Sequence, residues 1–468
     1  MKMEPIVNRP GIQKIQSESK RQKVCEALES LRFTDEDVKK TIKVFEEQID
    51  YANSTDEEVR KKSNLFWECT YVSSLIKGNE NGRYLGLDLG STNFRVVLVD
   101  LKNGVAETTT KYYNLSDDQL SGPAELVFDH IANSMETFIT EHNIASETPI
   151  CVGFTFSFPV VQKSLKNSVL VTWTKGFKCT NGVGLDPCAL LEESIARRGG
   201  LSIPVNVIAR ISDTTGTLMA GNYADKQCKI GLILGSGSNA SYVEHLKNFK
   251  KMDPKEAKSD KILVNTEWGA FGDNGCLDFY KNEFEKEVDQ YSNFPGSFTF
   301  EKSFAGLYLG EVLRTVLVKL TKAGLLFDGK ESEKLMTRWL WKSRQVTTIE
   351  KDNPGSSENT LSVLKDMKLD SIALEEDIIV IQEACYLMSQ RAAYIVATAL
   401  AVLLHHINEP EVSIGIDGSL YEHHPRFHDH MDTLIQKLVP STKFRLFLVK
   451  DGSGQGAALV AAVEAGSS

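Results

Sequence analysis

Four short stretches set a polar side chain among aromatic and aliphatic neighbours, as a sugar site requires. ISDTTGT at 211–217 places Asp213 at the end of a strand, and FTFSFP at 154–159 puts Ser157 between phenylalanines. WTKGFK at 173–178 offers Thr174 and Lys175, and NTEWGAFGD at 265–273 offers Asn265 and Glu267 beside Trp268. Carboxylates and amides match sugar hydroxyls, while aromatic side chains shield the ring faces. Taken singly, each motif reads more simply as a capping Asp or a surface Glu.

A second set of motifs suits phosphate. DLGSTN at 88–93 ends a buried run in Asp88, after which Gly90, Ser91 and small polar residues let backbone N–H groups approach an anion. Asp88 could hold Mg²⁺ through water, and Thr92, Asn93 and Arg95 could contact phosphate. GSGSN at 235–239 and DGS at 417–419 are weaker examples. DGSGQGAA at 451–458 puts glycines before an expected helix start, where free N–H groups favour phosphate or leave room for an adenine. An Asx-rich turn explains any one of them, so the signal is their number. Neither a Walker A loop nor a G-x-G-x-x-G after a strand occurs. His424 and His428, spaced i, i+4, raise a metal pair, but Pro425 and the lack of a nearby Cys favour an exposed helix start.

The elements that must position these residues follow from periodicity. A helix starts at Thr34 with Asp37 as its capping partner and buries Val38, Ile42, Phe45, Ile49 and Ala52. Hairpins are expected at 84–100 and from Ile230, and strands at 150–160, 205–211, 412–416 and 444–449. Helices are expected at 124–140, 187–198, 304–320 and 457–465. Residues 1–20 read as a frayed terminus, and the charged stretches 56–62 and 247–261 as solvated surface. LGLDLGS at 85–91 and IGLILGS at 230–236 share one pattern, echoed by IGIDGS at 414–419. Chance similarity of Gly-containing hairpins is one account; a duplicated nucleotide-binding fold is the other.

Composition sets the bounds. At 468 residues, two α/β domains are expected. A net charge of −10 argues against a nucleic-acid or polybasic membrane partner. Eight scattered cysteines without a C-x-x-C pair read as reduced thiols. The run 392–404 falls short of a spanning helix, no signal-peptide core or membrane anchor is evident at residues 1–20, and a cytosolic location is expected.

In order along the chain, LDLGSTNFR, FTFSFP through WTKGFK, SDTTGT, GSGSNA, NTEWGAFGD, FEK at 300–302 with YLGEVLR, IGIDGS and DGSGQGAA resemble the hexokinase/glucokinase family from about 25 to 465. The resemblance implies a two-lobed actin-like ATPase fold of the ribonuclease H type. Its expected parts are a helical segment at 21–79, a small lobe at 80–212 joined by the terminal helix, and a large lobe at 213–456. It implies glucose held by Ser157, Thr174, Lys175, Ser212, Asp213, Asn239, Glu267 and Glu301, with Asp213 as general base and Lys175 offsetting phosphoryl charge. It also implies ATP across Asp88, Gly90, Ser91, Thr92, Asn93, Arg95, Ser236, Asp417, Gly418, Ser419, Gly452, Ser453 and Gly454, with Mg²⁺ near Asp88. A monomeric ATP:hexose 6-phosphotransferase follows.

Four positions depart from the family pattern. Ser91 stands for a glycine, at about 1 kcal/mol or more if that position needs φ > 0. Ser212 stands for a sugar-contacting asparagine, worth about 1–2 kcal/mol. Arg210 stands for an apolar strand residue, and Gln455 for a basic one. Ser91, Ser212 and Arg210 leave open a sugar- or nucleotide-binding sensor or scaffold with little turnover. A chaperone- or filament-like ATPase is the third reading, against which WTKGFK and NTEWGAFGD speak.

Overall fold

The two runs that share the [LI]-G-L-x-L-G-S pattern become central strands of two separate sheets. The computed structural model describes residues 5–90, 93–253, 255, 257 and 259–466, with the side chain of Asn93 outside that set. In chain order the strands are β1 (Glu68–Cys69), β2 (Gly82–Leu89), β3 (Asn93–Lys102), β4 (Val105–Asn114), β5 (Ile150–Phe156), β6 (Val160–Gln162), β7 (Ser168–Leu170), β8 (Val205–Ile211), β9 (Cys228–Leu234), β10 (Ser238–His245), β11 (Lys261–Asn265), β12 (Glu411–Asp417) and β13 (Lys443–Leu448).

One sheet runs β4-β3-β2-β5-β8 and the other β1-β11-β10-β9-β12-β13. In each, an antiparallel meander (β2–β3–β4 or β9–β10–β11) is joined on its first strand by two parallel strands. The sequence echo is therefore a duplication of topology. IGIDGS belongs to β12, the counterpart of β5, so it opens no hairpin.

Two helices lie between the sheets. Gly452–Ala465 packs on β2, β3 and β5, Asp213–Ala224 packs on β9, β10 and β12, and the two pack on each other. Glycines make these approaches possible. A Cβ at Gly86 of β2 would run into the carbonyl of Gly454, and one at Gly231 of β9 into the backbone of Thr214 and Leu218. Where the helices meet, a Cβ at Gly456 would strike the Gly216 carbonyl. On the outer face of the first sheet, helices Ala124–Glu141 and Pro187–Arg197 bury Phe128, Ile131, Phe138 and Leu191. The second sheet is backed by the 33-residue helix Glu375–Ile407.

Several expectations need correction. From Pro5 onward the N-terminus is packed, with Ile6, Ile12 and Ile15 in the large core, because apolar residues among polar ones sufficed for short helical turns. The 150–160 run ends at Phe156, and β6 forms a separate ribbon with β7. The 304–320 helix is Gly306–Lys322, and the charged 56–62 stretch contains the short helix Glu57–Arg60. The 392–404 run belongs to Glu375–Ile407, a helix long and apolar enough to cross a membrane, but 94% of its most apolar window is buried inside the protein. The final helix begins at Gly452 rather than Ala457, entered through Asp451 in a left-handed conformation (φ 55°). The histidine pair is broken up: His424 ends one short helix, His428 lies on the next, and His424 is buried against Ser389 instead of exposed. All eight cysteines are unpaired.

The helix crossing yields a direct test. Gly456→Val should destabilise the protein by about 1–3 kcal/mol through overpacking. Gly235→Ala, whose Cβ would meet only Ile233 at 4.0 Å, should change stability by less than about 0.5 kcal/mol. Urea titration of both variants decides it; equal midpoints would show that the crossing tolerates bulk.

Candidate active site

Helix Asp213–Ala224 begins where β8 ends. Ser212 is its N-cap: its Oγ accepts from Thr215 N–H at 3.3 Å and meets the hydroxyls of Thr214 and Thr215 at 2.9 and 3.0 Å. Ser212 thus caps the helix through its hydroxyl. The cap fixes Asp213 on the first turn, where the helix dipole favours a carboxylate. Asp213 Oδ1 accepts from Thr214 N–H at 2.9 Å, and Oδ2 lies 3.5 Å from Lys175 Nζ. Asp213 N–H donates to Ser157 Oγ at 3.2 Å. Both charged side chains keep solvent access, 24% for Asp213 and 36% for Lys175, so a small molecule can reach them.

Lys175 is presented by a tight turn with φ of 55° at Lys175 and 91° at Gly176, directly after Thr174. Beneath it Phe156, Phe158, Trp173 and Phe177 form a buried aromatic cluster, with Trp173 and Phe177 stacked at 5.7 Å. The sequence motifs FTFSFP and WTKGFK therefore share one wall.

The opposite side comes from the second sheet. Asn239 of β10 donates to Asn265 Oδ1 at 2.9 Å and to Glu267 Oε1 at 3.1 Å, and Asn265 Nδ2 donates to the same Glu267 oxygen at 2.7 Å. Glu267 is held in a left-handed conformation (φ 46°), a strain found where a side chain must be aimed. Burial raises its pKa, the Asn265 hydrogen bond opposes that, and the charge of Asp213 adds to it. Glu301 accepts from Ser238 N–H at 3.0 Å, and burial pushes it up to about 7. The two sides meet where Thr214 Oγ1, next to Asp213, donates to Asn265 Oδ1 at 3.4 Å.

The phosphate motifs also converge. Asp88, on β2, accepts from Arg95 Nε at 2.8 Å and from Ser453 Oγ at 2.7 Å, while Arg95 also binds Asp451. Asp417 accepts from Gly452 N–H at 3.2 Å, and burial with the nearby charges of Asp88 and Asp451 raises it to about 6 against the pull of Arg95. Gly418 has φ of 132°, where a Cβ would also collide with Leu234, and Ser419 opens the helix after it. Ser236 lies in the β9–β10 turn, where its carbonyl accepts from Leu307 N–H at 3.2 Å. Gly90 follows β2; Ser91, Thr92 and the side chain of Asn93 lie outside the described residues.

Sequence reading missed two features. The ties of Arg95 to Asp451 and of Asp88 to Ser453 span more than 350 residues, so no local pattern announces them. Glu68, which feels both Glu267 and Arg210 and is raised to about 7 by burial, gave no motif.

The comparisons agree with this geometry. Two family models described as Hexokinase match residues 23–223 and 229–463. Hexokinase-2 of Equus caballus is 40% identical over 403 residues, covering 84% of this chain and 43% of the relative. Hexokinase-2 of Rattus norvegicus is 38% identical over 448 residues, with coverage of 93% and 47%. The chain thus spans less than half the length of these curated relatives. A hexokinase from Schistosoma mansoni solved in complex with glucose superposes with a TM-score of 0.86 at 35% identity, covering 94% of this chain and 98% of the other. With its two matched sheets closing on one polar cleft, the chain belongs to the hexokinase family and has that family's two-lobed sugar-kinase fold.

Proposed function

We propose that this chain transfers the terminal phosphoryl group of ATP to the 6-hydroxyl of glucose, or of a related hexose such as mannose or fructose. The observation that carries the reading is the meeting of Asp213, Lys175 and Ser157 with Asn239, Glu267 and Glu301, next to the turns of Asp88 and Asp417. Glucose in the Schistosoma complex supports the sugar assignment.

The roles follow from the chemistry of each group. Asp213 takes the proton from the 6-hydroxyl, with Oδ1 tethered to Thr214 N–H and the other oxygen facing Lys175. Lys175 offsets negative charge on the phosphoryl group as it moves. Glu267, Glu301 and Asn239 bind sugar hydroxyls, and the aromatic wall excludes water. Such catalysis is positioning and electrostatics more than covalent chemistry.

Mg²⁺ fits the donor set. Asp88 and Asp417 offer hard oxygens, and the raised pKa of Asp417 marks a place where added positive charge is favourable. Among the described residues no group of three or more His, Cys, Asp or Glu forms a metal cage. When bound, the ion would neutralise phosphate charge. The first turn of helix Gly452–Ala465, with Gly452, Ser453 and Gly454, supplies N–H groups for the nucleotide.

ADP release coupled to a sugar panel tests the activity. The wild type should release ADP only with hexose, and Asp213→Ala should lower kcat by about 10²–10⁴-fold, while glucose still raises its melting temperature. A wild type that binds glucose but shows no turnover would instead be a sensor or scaffold.

Glu301 gives a pH test. Its ordinary value of 4.5 rises to about 7 in the fold, so the native state binds more protons between those values and loses stability as pH rises through them. Glu301→Gln removes this loss. Between pH 5 and 8 the wild type should lose on the order of 2–3 kcal/mol more stability than the variant. Parallel stability–pH curves would refute the assignment.

A further inference from the structure

Three residues before Asp213, β8 carries a buried arginine. Arg210 is 5% exposed and pairs in register with Phe154 of β5. Its Nη1 donates to Gln162 Oε1 at 2.6 Å, and its Nη2 to the carbonyls of Phe156 at 2.8 Å and Phe158 at 3.5 Å. Gln162 Nε2 donates in turn to the carbonyls of Ser164 at 2.6 Å and Leu165 at 3.3 Å. One guanidinium therefore ties the end of β5, the Phe156–Phe158 turn and the β6 ribbon together.

The residue between the two clamped carbonyls is Ser157, whose hydroxyl accepts from Asp213 N–H. Arg210 thereby fixes both ends of the Ser157–Asp213 contact, one through the turn and one through its own strand. No carboxylate lies within ion-pair distance of Arg210 among the described residues, and its Nε has no hydrogen-bond partner there. Isolating a guanidinium in this way carries a desolvation penalty that an apolar residue would avoid. The compensation is at the site. The charged groups facing Arg210 are Glu68 beside β11, Glu267 and Asp213, with the Cys188 thiol also near. Glu267 in turn faces Asp213, Arg210 and Lys175, and lies near Glu68 and Glu301.

We propose that Arg210 is a positioning residue for the sugar site, clamping the carbonyls on either side of Ser157 and so holding the hydroxyl that accepts from Asp213 N–H. This rests on the reading of the Asp213 cleft as the sugar site. The clamp sets sugar affinity.

Three variants probe the clamp: Arg210→Met loses it, Arg210→Lys keeps a cation without the fork, and Gln162→Leu keeps the arginine but removes its Nη1 partner. Glucose affinity is read by tryptophan fluorescence, independently of turnover, alongside kcat and KM. For Arg210→Met, Kd and KM should rise by about tenfold. Arg210→Lys and Gln162→Leu should also show raised Kd and KM, with kcat less affected. Wild-type affinity in Arg210→Met would overturn the inference. So would a fall in kcat that merely tracks the folded fraction measured by circular dichroism. If Arg210→Met does not fold, the other two variants decide: unchanged KM in both refutes the clamp. Should the wild type bind glucose without turnover, the kinase reading fails while the Kd comparison still judges Arg210. Should it bind no sugar, both fail.

Discussion

The fold depends on one close contact, the crossing of helices Asp213–Ala224 and Gly452–Ala465 at Gly216 and Gly456. Each helix lies against a different sheet and each carries one part of the cleft at its N-terminus: Asp213 on one, Gly452 to Gly454 on the other. A side chain at the crossing would push the helices apart and with them Asp213 from Gly452. Because interiors are close-packed, such a shift passes to the neighbours. The contact thus converts the packing of two sheets into the distance between two chemical groups.

Charge is then distributed unequally across the cleft. At one end, Asp88, Asp417 and Asp451 gather around Arg95, an acidic excess that a divalent cation would balance. At the other, Glu267 and Glu301 are desolvated carboxylates with raised pKa values, offset in part by Lys175. A neutral hydrogen-bonding group entering there meets no charge repulsion, whereas an anion would.

How much of this was legible depended on how local each cause is. The Thr34/Asp37 capping box and the hairpin at β2–β3 are set by neighbours in sequence, and the reading found them. The glycine of each echoed strand was visible too, though its reason, the pressure of a helix backbone, emerged only in three dimensions. By contrast, the start of the last helix was misplaced because its glycines discourage helix in isolation. Packing against Gly86 and Gly216 requires them inside that helix. The N-terminal turns were missed because isolated isoleucines at 6, 12 and 15 carry no period.

Ser212 shows how a capping residue positions its neighbour: its hydroxyl closes on Thr214 and Thr215 and sets Asp213 on the first turn. The backbone of Asp213 is held from the other side by the Ser157 contact and the turn that carries it. That turn ends a strand and is flanked by a two-stranded ribbon, an arrangement with little rigidity of its own. A fixed donor reaching carbonyls on both sides of Ser157 is the simplest way to stiffen it, and the strand that leads into Asp213 is the nearest place to mount one. The serine at 212 and the arginine at 210 thus act together: Asp213 is steadied by its cap above and by the clamped turn beneath.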